Sequence, residues 1–140
     1  MTAEQMWLLS GLTGPYEAWA FGEAADELAD LVLRGIKTAT CSAYDLYEAE
    51  GEPLPRVGEY SVILDSRDQA VCVVMTTRVS VVPFDQVSAA HAWKEGEDDR
   101  SLAAWRSVHE AFLTRELAAI GRAFSLTTRV VCEEFERVYP

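Results

Sequence analysis

Apolar residues recur along this chain at two different spacings, and the changes of period mark out its elements. From Glu4 to Leu12, Met6, Leu8, Leu9 and Leu12 fall at helical spacing, and Gly14-Pro15 closes the segment because that pair cannot continue a helix. Trp7 within it predicts docking on the body of the protein. From Glu23 to Arg34 the helical pattern is stronger. Leu28, Leu31 and Val32 share one face, acids gather in the first turn where they complement the helix dipole, and Gly35 supplies the stop. β-Branched and aromatic residues from Thr38 to Tyr44 predict a strand, followed by a polar loop with Gly51, Pro53, Pro55 and Gly58. Tyr60 to Leu64 and Ala70 to Val82 are β-rich runs joined by Asp65-Ser66-Arg67-Asp68-Gln69, the pattern of a hairpin or meander. The second run starts apolar on both faces, which predicts a central strand.

Pro83 ends that run, and Phe84 to Trp93 predicts a short helix leading into the acidic segment Lys94-Glu95-Gly96-Glu97-Asp98-Asp99. Ser101 to Ile120 predicts the longest helix, with Leu102, Trp105, Val108, Phe112 and Leu113 as its apolar stripe and Asp98 or Asp99 as N-cap. Trp105 and His109, four apart, share a face. Thr127 to Tyr139 closes the chain as a β-rich run. Strands joined by hairpins and separated by helical inserts predict an α+β protein with a small, curled, antiparallel or mixed barrel-like sheet flanked by helices. The regular βα alternation of a doubly wound parallel sheet is missing. At 140 residues the chain is read as a single domain over 1–140, with residues 1–20 an N-terminal helical extension.

Charge narrows the function classes. A net charge of −11 repels polyanions, so a general binder of long duplex DNA is disfavoured, while a short single strand of RNA or one nucleoside stays open. No apolar run approaches the roughly 18 residues of a membrane span, and the start lacks a basic signal region, so no membrane partner and a cytoplasmic location are expected. Cys41, Cys72 and Cys132 are odd in number, far apart and without ligand spacing, which reads as buried, reduced thiols with no metal site and no cofactor.

Within this background one residue type stands out. Lys37 and Lys94 are the two lysines among twelve positive charges. Unlike arginine, a lysine can be desolvated until its amine is neutral and basic. Gly35-Ile36-Lys37-Thr38 lacks the glycine directly before the lysine that a phosphate-binding P-loop needs, and a helix precedes it, so that reading is rejected. Lys37 with Thr40 or Thr38 instead makes a base and hydroxyl pair. In a regular strand Lys37 and Thr40 point to opposite faces, so they converge only if the turn after Gly35 is irregular; otherwise Lys37 is a surface residue beside β-forming threonines. Glu95, Glu97, Asp98 and Asp99 are candidates for a hard cation or for one buried carboxylate, against a solvated acidic loop whose charges favour the next helix, and the order of an EF-hand loop is absent. His109 is either a general base or ligand-stacking ring or a structural histidine, and His91 is a weaker candidate. Phe21, Tyr44, Tyr47, Trp93 and Trp105 are candidates to stack a base.

These segments together resemble the ASCH domain, the activating-signal-cointegrator homology family of the PUA-like superfamily. The carriers are Phe21-Gly22, A-D-E-L-A-D-L-V-L, G-I-K-T-A-T-C, P-R-V-G-E-Y, H-A-W-K-E-G-E-D-D, S-L-A-A-W-R-S-V-H-E-A-F and the closing V-V-C-E-E-F. The resemblance implies a small β-barrel with a cleft that receives RNA or a modified nucleoside. Some small members are amidohydrolases that remove the acyl group of N4-acetylcytidine with a Lys and a Thr three apart plus a Glu; another behaves as a ribonuclease, and the cointegrators carry the domain as an RNA-binding module. Carried over, the catalytic set falls on Lys37, Thr40 and Glu95, with Thr38, Phe21, Glu97, Trp105 and His109 as ligand-binding candidates. Where the amidohydrolases follow their threonine with a hydrophobe and an arginine, this chain has Cys41 and Ser42.

Three functions follow. The first is hydrolysis of an amide or ester on a nucleoside, with Thr40 as nucleophile and Lys37 as its base, which requires a Lys37 pKa several units below its usual ~10.4. An ionised Glu95 close by would instead keep Lys37 charged and make the pair a clamp, as in a non-catalytic RNA-binding module. The third is a ribonuclease, in one version metal-assisted through Glu95, Glu97 or Asp98.

Overall fold

In a computed structural model that describes every residue from Met1 to Pro140, the chain runs α1 (Ala3–Ser10), β1 (Glu17–Ala20), α2 (Ala25–Leu33), β2 (Ala39–Ala43), α3 (Tyr44–Glu50), β3 (Tyr60–Leu64), β4 (Ala70–Pro83), a single 3-10 turn (Phe84–Gln86), α4 (Ala89–Glu95), α5 (Leu102–Ala119) and β5 (Arg129–Tyr139). The strands form one sheet in the order β1-β3-β4-β5-β2. β1 lies parallel to β3 and every other pairing is antiparallel, so the fold is α+β with a mixed sheet. β4 and β5 span 14 and 11 residues, and their register slips between Val73 and Val74 and between Thr76 and Arg78. Such irregularities bend a strand and increase its twist. The long central pair therefore curls, and the two edge strands, β1 and β2, come to line one cavity on the concave side.

The helices cover the sheet through three apolar clusters. α5 and the turn before α4 bring Trp105, Leu113, Leu117 and Phe84 against Ala43 and Val130. α2 sets Ala29 and Val32 on Ile63, Val74 and Phe135. Met6 and Trp7 of α1 pack on Val62 and Val73, and Trp7 stacks on Tyr16 at 4.6 Å, which is the docking that its sequence position predicts. The three cysteines are buried and unpaired, as expected. No helix is long and apolar enough to cross a membrane.

Four local expectations are corrected. Residues 17–20, read with the first helix as a helical extension, form an edge strand; four residues are too few to show a period of two. Tyr44–Glu50 is a helix rather than the end of a strand and the start of a loop, and Gly51, left-handed at φ 66°, stops it. The expected helix from Phe84 to Trp93 is interrupted at Val87-Ser88, because the Ser88 hydroxyl accepts from His91 N and starts α4 afresh. Ser101, not Asp98 or Asp99, caps α5; Asp99 accepts from Ser101 N instead.

Candidate active site

The turn that carries Lys37 is irregular, as convergence with Thr40 demands. Gly35 sits in the left-handed region at φ 77°, and the backbone N–H groups of Ile36 and Lys37 both donate to Leu31 O, at 2.9 and 3.1 Å. Thr38 N then donates to Lys94 O at 2.7 Å, joining this turn to the end of α4. The acidic segment approaches so closely that a Cβ on Gly96 would lie 2.7 Å from Ile36 O, at a backbone φ of +74°. Lys37 is thus outside the alternation of β2 and free to turn inward, where its side chain is 1% exposed.

Glu95, also 1% exposed, is the last residue of α4 and the hub of a polar network. Its Oε1 lies 3.2 Å from Lys37 Nζ and 3.4 Å from His109 Nε2. Its Oε2 accepts from Trp105 Nε1 at 2.6 Å and from His91 Nε2 at 2.8 Å. Lys37 Nζ donates further to Glu97 Oε2 at 2.9 Å and to Glu95 O at 3.3 Å, and lies 5.3 Å from the centre of the Phe21 ring. No buried side-chain nitrogen or oxygen is left without a partner. This completeness matters because a half-satisfied buried network costs more than an apolar core.

The charges follow from these contacts. Burial pulls the Lys37 pKa down, but Glu95 and Glu97, by charge and hydrogen bonding, outweigh it and hold it above the ordinary lysine value. Lys37 is therefore an ammonium, and the neutral amine that a base role requires is not its state here. Burial favours a protonated Glu95; the Lys37 charge and the hydrogen bonds of His109 and His91 reverse this, leaving the carboxyl well below the usual range. Burial likewise opposes a charged His109, yet the hydrogen bond and charge of Glu95 raise its pKa, helped by the Trp105 carbonyl that accepts from Nδ1 at 2.9 Å. Both ring nitrogens of His109 face oxygen acceptors, an arrangement that favours the doubly protonated ring.

The network forms one end of a cavity of about 730 Å³. Trp19 and Phe21 line it from the β1 side, Thr40 and Ser42 from β2, and Val108, His109 and Phe112 from α5. Tyr47 of α3 reaches in and pairs with Ser42 Oγ at 2.7 Å. On the sheet floor, Thr76 Oγ1 donates to Glu133 Oε2 at 2.6 Å. Burial raises the Glu133 pKa; Thr76 opposes the rise, and the charges of Glu59 and Glu17 add to it. Eight glutamates, one lysine, one histidine and no arginine line the cavity.

Of the residues singled out in the sequence, Lys37, Thr40, Glu95, Glu97, Phe21 and His109 line this cavity together. Thr38 does not: its hydroxyl turns to Lys94 O at 3.4 Å. Trp105 does not line the cavity: it is buried behind the wall, stacked on His109 at 4.3 Å, and its Nε1 donates to Glu95. Tyr44 and Trp93 lie outside the lining, beneath Arg129 and Arg100. Sequence reasoning missed Glu133, Thr76 and Trp19, which reach the cavity only through strand pairing and sheet curl. Cys41 Sγ, Glu95 and His109 offer ligand atoms within 4.8 Å of one another. A dication there would need a Cys41 thiolate, which burial and Glu95 disfavour by pushing the thiol well up, and would meet the Lys37 ammonium already held by Glu95.

A family model described as ASCH domain matches residues 17–139. Among solved structures, the ASCH domain from Lactobacillus crispatus JV V101 is 33% identical, with a TM-score of 0.90 over 99% of this chain and 97% of that one. Protein EF3133 from Enterococcus faecalis V583 is 34% identical, with a TM-score of 0.85 over 97% of this chain and 85% of that one. The hypothetical protein PH0355, at 16% identity and a TM-score of 0.58 over 87% of this chain and 97% of that one, shares the fold. No curated protein matches the chain.

Proposed function

The chain belongs to the ASCH domain family, and from that premise we propose that its cavity takes an acylated nucleoside and hydrolyses the amide or ester that holds the acyl group. The observation that carries this reading is the lining: a threonine hydroxyl and a buried ammonium share one cavity with eight glutamates and no arginine. A volume of about 730 Å³ falls within the ~300–1,000 Å³ of small-molecule sites. Trp19, Phe21 and Phe112 supply apolar walls for a flat ring, and Ser42, Tyr47 and Thr76 supply hydroxyls for a sugar or a base edge. A strand of RNA brings a phosphate with every nucleotide, and the single cavity lysine is already held by two carboxylates. An uncharged nucleoside meets no such repulsion.

In this mechanism Thr40 Oγ attacks the acyl carbon, and the Lys37 ammonium stabilises the negative charge that develops on the acyl oxygen. Glu97, the partly exposed partner at 23%, is the contact that the acyl oxygen replaces, whereas Glu95 is fully buried and stays. Glu95 keeps Lys37 charged and aimed. His91, Trp105 and His109 are positioning residues that act through Glu95.

The test is incubation with a panel of N- and O-acylated nucleosides beside short RNAs, read by chromatography, for the wild type and Lys37→Ala. The expected result is release of free nucleoside by the wild type, a loss of about 100-fold or more in the variant, and intact RNA. Equal turnover in both proteins would remove Lys37 from the mechanism. No turnover, together with RNA binding that weakens steeply with salt, would replace the hydrolase with a binding module, and RNA cleavage would replace it with a nuclease.

A further inference from the structure

Within the acyl-transfer reading on which this inference rests, Thr40 lacks a base. Lys37 Nζ directs its three N–H groups at Glu95 O, Glu95 Oε1 and Glu97 Oε2 and has no lone pair to offer. Glu95 is saturated by four donor groups. Neither accepts a proton from Thr40 without dismantling the network.

The sheet supplies another group. β2 and β5 are antiparallel and pair Thr40 directly with Glu133. Residues opposed in this way project to the same face with Cβ atoms about 4.5–5.5 Å apart. Thr40 and Glu133 both line the cavity; of the residues that alternate with Thr40 and Ser42 on β2, Ala39 and Ala43 are in the core and Cys41 reaches the lining from the other face. Glu133 is anchored at one oxygen, Oε2, by Thr76, and its Oε1 has no protein hydrogen-bond partner. Thr40 Oγ1 has none either, so the two are adjacent, co-facial and uncommitted.

We propose that Glu133 is the general base for Thr40. It takes the Oγ proton as the Oγ–C bond forms and the carbonyl pair moves onto the oxygen beside Lys37. When the intermediate collapses, the C–N or C–O bond breaks and Glu133 returns that proton to the departing nitrogen or oxygen, releasing the nucleoside. Water then attacks the acyl-threonine and gives its proton to Glu133, which passes it to Thr40 Oγ as the carboxylic acid leaves. The surroundings of Glu133 suit a proton acceptor. Glu17 of β1, Glu59 before β3 and Tyr47 of α3 face it, and burial with the two glutamates makes it a stronger base than a surface carboxylate.

The test uses p-nitrophenyl acetate as a general acyl donor, with acetylation of Thr40 followed by peptide mass mapping across pH, beside the acylated-nucleoside panel. Thr40 is expected to acetylate in the wild type with a rate that falls as acid protonates one carboxyl. Glu133→Gln is expected to slow this at pH 7 by about 100-fold or more and to abolish the acid limb. Glu133→Asp keeps the carboxylate and recovers part of the rate. Thr76→Val removes the hydrogen bond that lowers the Glu133 pKa and moves the acid limb to higher pH. A wild type that never acetylates Thr40, or a Glu133→Gln protein within threefold of wild type, or one that keeps the acid limb, overturns the assignment. Glu133-dependent acetylation without turnover of any acylated nucleoside upholds the base and refutes the substrate; nucleoside turnover unchanged in Glu133→Gln refutes the base alone.

Discussion

Replacing Glu95 with Gln keeps the shape of the side chain and removes its charge, and the network around it dictates the outcome. The amide oxygen can still accept from Trp105 Nε1 and His91 Nε2, now at 2.6 and 2.8 Å from Oε2. Its NH₂ group then faces Lys37 Nζ and His109 Nε2, 3.2 and 3.4 Å from the present Oε1, so donors meet donors. Removing one partner of a buried pair costs about 3–5 kcal/mol, because the other charge stays buried. Glu97 remains to Lys37, so the lower end, ~3 kcal/mol, is expected. At ~3 °C per kcal/mol for a chain of this size, the melting midpoint falls by about 10 °C.

The linkage to pH sharpens the prediction. The Glu95 pKa is depressed in the folded state, so its stabilisation is present above the unfolded carboxyl pKa and is lost as pH falls through the folded one. The His109 pKa is raised, so its stabilisation is full below the unfolded value of ~6.5 and is lost as pH rises through the folded value. Urea unfolding of the wild type should therefore weaken both in acid and above neutrality, and Glu95→Gln should flatten both slopes. Lys37→Met combined with Glu95→Gln should cost less than the sum of the single changes by about 1–3 kcal/mol. A Glu95→Gln protein within about 0.5 kcal/mol of wild type, or additive single changes, would refute the buried ion network.

Two further outcomes are expected. Gly96→Ala meets Ile36 O at 2.7 Å and forces a side chain into a left-handed conformation, which costs about 1–2 kcal/mol in urea unfolding and loosens the Lys37 turn; an unchanged midpoint would contradict the close approach. Burial pushes Cys72 and Cys132 up to about 11 and about 12 and raises Cys41 well above the ordinary thiol value, so a disulfide reagent at pH 8 should find no fast-reacting thiol in the native protein and three after denaturation. Rapid modification of any of them would contradict that burial.

Much of the architecture is legible in the chain because burial leaves a period. Of the stripe Leu102, Trp105, Val108, Phe112 and Leu113 that shows α5, Trp105 and Leu113 are buried and Val108 is exposed, and the apolar start of Ala70–Pro83 shows a central strand, since helices and strands hide their faces at 3.6 and 2 residues. α3 and β1 are less legible: none of the seven residues of α3 is buried, and the four of β1 give one alternation at most. The candidate site divides in the same way. Lys37 and Glu95 draw attention by rarity and by lying in short polar motifs, whereas Glu133 has the local setting of any acid in a strand.

The sequence by itself determined the order of the main elements apart from β1 and α3, the α+β class, the family resemblance and the glycine stop at 35, because these depend on periodicity and on local backbone geometry. Tertiary structure decided the chemistry. Whether Lys37 is a base or a cation depends on two carboxylates 58 and 60 residues away, and Thr40 meets Glu133 only through the pairing of β2 with β5. Protonation follows from distance and burial, and folding sets both between residues far apart in the chain.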